Sequence, residues 1–326
     1  MARDLLAIRM YLSTLKETHP MESQHTLAAP IEFSGLGLHT GESVRVRVAP
    51  APLDTGLVFC RVDLDGFEIE AVVQNVARVA YATTLMKQGV LISTVEHLLS
   101  SLYIFGVDNA RIEIDNLEVP ILDGSALQFV DKIARAGLQQ QSARRRYLRV
   151  EKSLEIRDRD RIIAVQPADR FQISYSIDFD HPMIGRQSFE FEASPEVFSR
   201  EVAPARTFGF YREVEELKEK GLVRGGSLDN AIVLTDRGIL NDNLRFEDEF
   251  VRHKVLDGIG DLALIGKPLL ARVVAHKAGH ALHTHLVTRI LSDPSCYSET
   301  THPPLRSHGA DTDLPRESRC VSAPGS

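Results

Sequence analysis

Phe250-Val251-Arg252-His253-Lys254-Val255-Leu256-Asp257-Gly258-Ile259-Gly260-Asp261-Leu262 is the most informative stretch of the chain. Phe250, Val255, Leu256, Ile259 and Leu262 recur at helical spacing and predict one long helix from about Glu249 to Ile265. On such a helix His253, Asp257 and Asp261 stand at i, i+4 and i+8, a single polar stripe. An imidazole and a carboxylate one turn apart can grip Zn²⁺ with bonds of about 2 Å. The same spacing also fits a surface stripe with a His–Asp contact.

Upstream, short strand patterns alternate with helices. Val44–Val48 alternates apolar and polar residues as a half-buried strand does, and Ala110–Ile114 repeats the pattern. A helix is predicted around Leu127–Ala136, after the turn Leu122-Asp123-Gly124-Ser125. Gln139 to Arg146 is polar and then basic, and it reads as a linker between two halves. Strands at Leu148–Val150, Arg161–Gln166 and Gln172–Ile177 open the second half, and a charged helix lies near Arg212–Lys220. Beyond Leu291 the composition turns to Ser, Pro, Thr and Arg, which predicts a disordered tail. No internal repeat is visible.

Two further clusters carry candidate chemistry. Ser93-Thr94-Val95-Glu96-His97 opens a helix, and Ser93-x-x-Glu96 fits a capping box. Alternatively His97 is a third metal ligand and Glu96 a general base. Three N/O ligands with an open position describe a catalytic zinc rather than a closed structural one. Ala275 to His285 holds four histidines, His276, His280, His283 and His285. Gly279 directly before His280 suggests a turn or a helix start, with one histidine as general acid and the others on the surface.

Composition removes several classes. A net charge of −7 over 326 residues argues against a general nucleic-acid binder, and 43% apolar residues suffice for a sizeable core. No run approaches the ~18–20 apolar residues of a membrane span. Cys60, Cys296 and Cys320 are odd in number and lack metal-site spacing, pointing to a reducing cytoplasm. Neither a dinucleotide nor a P-loop glycine pattern is present.

Taken in order, several motifs resemble the UDP-3-O-acyl-N-acetylglucosamine deacetylases of lipid A synthesis. They are Ser34–Gly41, Thr94–Leu99, Val119–Ala126, Ala205–Phe210, Gly225–Ala231, Arg252–Asp261 and Gly279–Leu282. The resemblance implies an α+β fold of two domains with similar topology, 25–141 and 147–292, layered around a zinc cleft. Residues 1–24, taken as a flexible extension, and 293–326, taken as the disordered tail, have no counterpart. It further implies Zn²⁺ on His97, His253 and Asp257, with Glu96 as base and His280 as acid, oriented by Asp261. Thr207 would help polarise the acetyl carbonyl, and Lys254 would lie near the sugar nucleotide. His39 falls in the first motif as a substrate-binding candidate. Phe208 and an insert at 208–226, with Val214, Leu217 and Leu222 as lining candidates, would shape an apolar passage for the acyl chain. The partner implied is a UDP-sugar lipid precursor, acted on by a cytoplasmic monomer with no nucleic acid and no stable membrane insertion. A zinc hydrolase of another amide is the alternative.

Overall fold

Alternation puts one face of each strand into the core: Ile31 and Phe33, then Val44, Val46 and Val48, are buried while their neighbours face outward. A computed structural model describes residues 22–302. The first sheet runs Ile31–Leu36, Ser43–Pro50, Ala110–Ile114, Leu57–Arg61, Phe67–Glu70. Its central strand Ala110–Ile114 is antiparallel to Ser43–Pro50 and parallel to Leu57–Arg61. Each of those neighbours belongs to a hairpin. Helix α1 (Glu96–Phe105) precedes the central strand, and α2 (Leu127–Ala136) follows it.

The second half repeats this order. Leu154–Asp158 and Arg161–Pro167 form one hairpin, and Gln172–Phe179 and Gly185–Glu192 the other. Central strand Leu269–His276 lies between them, antiparallel to Arg161–Pro167 and parallel to Gln172–Phe179. Helix α3 (Tyr211–Glu219) belongs to an insert; α4 (Glu249–Ala263) precedes the central strand and α5 (His280–Ser292) follows it. The two halves thus share one topology, an internal repeat that leaves no visible trace in the sequence. Backbone pairing constrains only which faces are apolar, so two unrelated texts can take the same path. The fold is α+β, as expected.

Equivalent helices α1 and α4 pack against each other, and α4 lies on the strands Gln172–Phe179 and Gly185–Glu192. Helix α4 is therefore buried nearly all round, with only Arg252 and Lys254 partly exposed. The surface-stripe reading of His253, Asp257 and Asp261 fails, since all three are at most 3% exposed. Gly260 sets the helix separation: a Cβ there would collide with the main-chain oxygen of Glu96.

Three boundaries differ from expectation. Leu138–Arg144 is no linker but a strand, paired with Ser23–Leu27. Its polar residues occupy a two-stranded ribbon that needs little apolar surface, and Ser23 and Gln24 are thereby held in structure. Likewise Tyr147–Val150 captures Tyr297–Thr300 from the expected tail, and Cys296 beside it is buried. Main-chain hydrogen bonds hold that segment despite its polar composition. The rest of the two extensions, 1–21 and 303–326, lies outside the described residues. The insert also runs further than 208–226, because Phe208–Phe210 pairs in parallel with Ile232–Leu234.

Two outcomes follow for stability. Gly260→Ala overpacks the α1–α4 contact and should cost about 1–3 kcal/mol, lowering the thermal midpoint by several degrees in calorimetry. Ending the chain after Ser292 removes the Tyr297–Thr300 edge strand, and the midpoint should again fall; an unchanged midpoint would show that this strand contributes nothing.

Candidate active site

Helix α1 begins at Glu96 itself, with Val95 as its cap and no side-chain cap bond. Ser93 lies in the strand Val90–Ser93, and Thr94 takes a left-handed φ of 57°. The capping box is thus not formed. Both oxygens of Glu96 are free of the helix end; Oε2 accepts the Thr83 amide at 3.1 Å. The first turn of α1 then directs Glu96 and His97 at α4.

There the polar stripe divides. His97 Nε2 stands 3.6 Å from Asp257 Oδ1, and His253 Nε2 3.3 Å from the same oxygen. The three atoms all lie within 4.8 Å of one another. Bonds of about 2 Å in a tetrahedron give ligand separations of about 3.3 Å, so the spacing suits a small divalent cation. The donor chemistry agrees. His253 Nδ1–H donates to the Ala205 carbonyl at 3.1 Å, leaving the Nε2 lone pair facing inward. Burial holds His253 down to about 3, hence neutral. Lys254 Nζ donates to Asp257 Oδ2 at 2.7 Å, so only Oδ1 faces the histidines. Burial alone would raise Asp257, but His253 and Lys254 outweigh it and hold it well below the carboxylate range. The His253 lone pair, the His97 imidazole and an anionic oxygen converging in a buried site make a group that could hold a cation.

The third residue of the stripe, Asp261, turns to a different task. Its Oδ2 accepts from His280 Nδ1 at 2.7 Å. Gly279 does cap α5, so His280 is its first residue. Burial would lower His280, yet the Asp261 carboxylate carries it up to about 9. Burial pushes Glu96 the other way, up to about 6 despite the nearby His280 and His97. Glu96, Asp257 and His280 bring an atom each within 4.8 Å of the others. An ionisable acceptor and a cationic donor therefore flank one ligand of the candidate metal site.

The remaining sequence candidates fall around this centre. Arg206 pairs with buried Glu249 through Nε and Nη2 at 2.8 and 3.1 Å, and Ala205 holds His253, so Thr207 is fixed beside the start of α4. The Thr207 amide donates to the Gly124 carbonyl at 2.8 Å. Gly124 has φ of 82°, and a Cβ there would strike the Asn230 carbonyl. Phe208 packs edge-on to Phe250 at 5.0 Å and lies 5.7 Å below Lys254 Nζ. Val214 and Leu217 are half-buried one turn apart on α3, and Leu222 is half-buried after it. His39 sits in a loop whose amides at His39 and Thr40 donate to Glu118, and its buried ring makes no close hydrogen bond among the described residues.

Residues that sequence reasoning missed lie behind Asp261. His283, expected on the surface, is buried and donates Nδ1–H to Asp261 Oδ2 at 2.8 Å. Thr83 Oγ1 donates to Asp261 Oδ1 at 2.5 Å. The i, i+3 spacing of His280 and His283 on one helix was the available signal for the histidine. Thr83 carried none, because its contact spans 178 residues.

Comparison with known proteins supplies the family. Residues 24–292 match the UDP-3-O-acyl N-acetylglycosamine deacetylase family. The chain belongs to that family. A UDP-3-O-acyl-N-acetylglucosamine deacetylase of Solibacter usitatus is 51% identical over 288 residues, 88% of this chain and 97% of the relative. Deacetylases of the same name from Myxococcus xanthus and Hahella chejuensis are 48% and 47% identical, covering 84% and 86% of this chain and 88% and 94% of theirs. The family match ends at Ser292, short of the Tyr297–Thr300 strand.

Two measurements test the site. His253→Ala and Asp257→Ala should each lose the bound metal in elemental analysis, whereas His280→Ala should retain it. The His280–Asp261 pair should also appear in stability. A histidine raised from 6.5 to about 9 contributes stability that is fully present below about pH 6.5 and lost as pH rises through 9. The thermal midpoint of the metal-free protein should therefore fall across that window, and the fall should be smaller in His280→Ala.

Proposed function

We propose that this chain is a zinc-dependent amide hydrolase removing the N-acetyl group of UDP-3-O-(3-hydroxyacyl)-N-acetylglucosamine, the committed step of lipid A synthesis. The observation that carries the proposal is the base–metal–acid arrangement, with Glu96 and His280 both close to Asp257. It is supported by membership of a deacetylase family and by the names of relatives near 50% identity.

His97, His253 and Asp257 would hold the Zn²⁺. When bound, the metal supplies Lewis acidity to the acetyl carbonyl and acidifies the attacking water. Glu96 takes the proton of that water as its oxygen bonds to the carbonyl carbon. The Thr207 hydroxyl donates to the carbonyl oxygen as charge builds there. His280 then gives its proton to the sugar nitrogen as the C–N bond breaks, releasing acetate and the free amine. Both groups are shifted upward, and the outcome suits these tasks: between about pH 6 and 9 Glu96 is ionised while His280 stays protonated.

Substrate contacts are assigned on the same basis. Lys254, paired with Asp257 yet partly exposed, would meet the sugar nucleotide. His39, whose ring makes no close hydrogen bond among the described residues, is suited to a polar group of the substrate. Phe208, Val214, Leu217 and Leu222 would line the acyl passage. A UDP-sugar lipid precursor as partner and a cytoplasmic place of work go with this activity. Among the described residues no helix is long and apolar enough to cross a membrane.

The test is release of acetate from that substrate by the purified, zinc-loaded protein. Glu96→Ala should keep its metal and lose at least the ~10²-fold typical of a general base. A loss confined to about 1 kcal/mol of stability would mark Glu96 as a helix-end residue only. No acetate from this substrate, with release from another N-acetyl amide, would favour a hydrolase of different specificity.

A further inference from the structure

Asp261 is held far more firmly than a partner for one histidine requires. Oδ1 accepts from Thr83 Oγ1 at 2.5 Å, while Oδ2 accepts from both His280 Nδ1 at 2.7 Å and His283 Nδ1 at 2.8 Å. Asp261 and Thr83 are fully buried, and His283 is 1% exposed. His283 is itself locked at its far side. Its Nε2 lies 3.0 Å from the Tyr175 hydroxyl, which donates to the Ala278 carbonyl at 2.7 Å, two residues before His280. Turning the His283 ring would break both contacts.

Packing does not account for these side chains. A leucine and a valine would fill similar space without the cost of burying polar groups. Both side chains meet the Asp261 carboxylate with a polar atom, Thr83 Oγ1 on one oxygen and His283 Nδ1 on the other. A carboxylate held at one oxygen can still swing about its own axis, carrying its histidine with it. Donors on both oxygens fix its plane.

We propose that Thr83 and His283 are positioning residues for the reaction, clamping the Asp261 carboxylate at both oxygens so that it aims His280 at the leaving nitrogen. Thr83 also ties the two proton-transfer groups together: its hydroxyl orients the partner of His280, and its amide donates to Glu96 Oε2 at 3.1 Å. Its hydroxyl stands 3.2 Å from His280 Nδ1 as well, so the three groups form one compact cluster. The clamp rests on the assignment of His280 as general acid.

The experiment uses the full zinc-loaded chain and the acetate-release assay. Thr83→Val removes the hydroxyl but keeps shape and the amide to Glu96; Thr83→Ser restores the hydroxyl. His283→Leu removes the donor, and His283→Asn offers an amide nitrogen near the position of Nδ1. Small misplacement of a reacting group costs up to about 10²-fold, so Thr83→Val and His283→Leu should each lower kcat by about tenfold or more. KM should stay within about twofold and zinc content should not change, because the lost interaction acts on turnover. Serine and asparagine should recover most of the rate, and the alkaline limb of the kcat profile should move in the valine and leucine variants. Folded, zinc-loaded valine and leucine variants with wild-type kcat would overturn the clamp. A loss confined to KM, or no recovery with serine and asparagine, would overturn it equally. If His283→Leu does not fold, the Thr83→Val and Thr83→Ser pair decides by the same criteria. His280→Ala separates the two levels. If it keeps its rate, the acid assignment falls; if it loses its rate while Thr83→Val and His283→Leu keep theirs, the clamp alone falls.

Discussion

The contact between Gly260 on α4 and the backbone of Glu96 on α1 sets the geometry on which the site depends. With no side chain at 260, the two helices approach until the Glu96 carbonyl occupies the space a Cβ would need. That approach brings His97 from one half to the Asp257 oxygen that His253 already faces in the other. Neither half alone offers three ligands. The α1–α4 contact is therefore a folding interface and a ligand-assembling one at once.

Burying so many ionisable groups is costly, and the arrangement of partners explains how it is borne. Asp257 has Lys254 on one oxygen and two imidazoles facing the other. Asp261 is met by three donors, and Glu249 by Arg206 and two backbone amides. Breaking one such buried pair typically costs about 3–5 kcal/mol, whereas an apolar replacement of the whole set often costs nothing. Stability alone thus gives no reason to keep these groups. Their use lies in holding opposite protonation states a few ångströms apart, with Glu96 pushed up by burial and His280 pushed up by Asp261.

The repeated topology gives this division of labour a simple origin in the fold. In each half a helix leads into the central strand and another leaves it, and the leading helices are the ones that meet. Equivalent positions have taken unlike roles. The first turn of α1 supplies Glu96 and His97, while two and a half turns of α4 supply His253, Lys254, Asp257 and Asp261. The insert carrying α3 interrupts only the second half, next to the side of α4 that bears Phe250 and Lys254.

Local pattern alone specified the long helix at 250–262, its i, i+4, i+8 stripe and five of the strands, because these depend on neighbours along the chain. The linker reading, and the tail reading over Tyr297–Thr300, failed for a related reason. Composition reports the capacity to bury apolar surface, whereas Leu138–Arg144 and Tyr297–Thr300 are held by main-chain hydrogen bonds to distant strands. Local spacing also left the roles of Glu96 and of the polar stripe open between a cap or a surface and a site. Only tertiary structure decided them: it placed Thr83 rather than Ser93 on Glu96, buried the polar stripe of α4, and drew His283 inward to Asp261. The contacts on the two buried carboxylates join residues 13, 22 and 178 positions apart, and no local pattern encodes which distant donor a buried carboxylate will find.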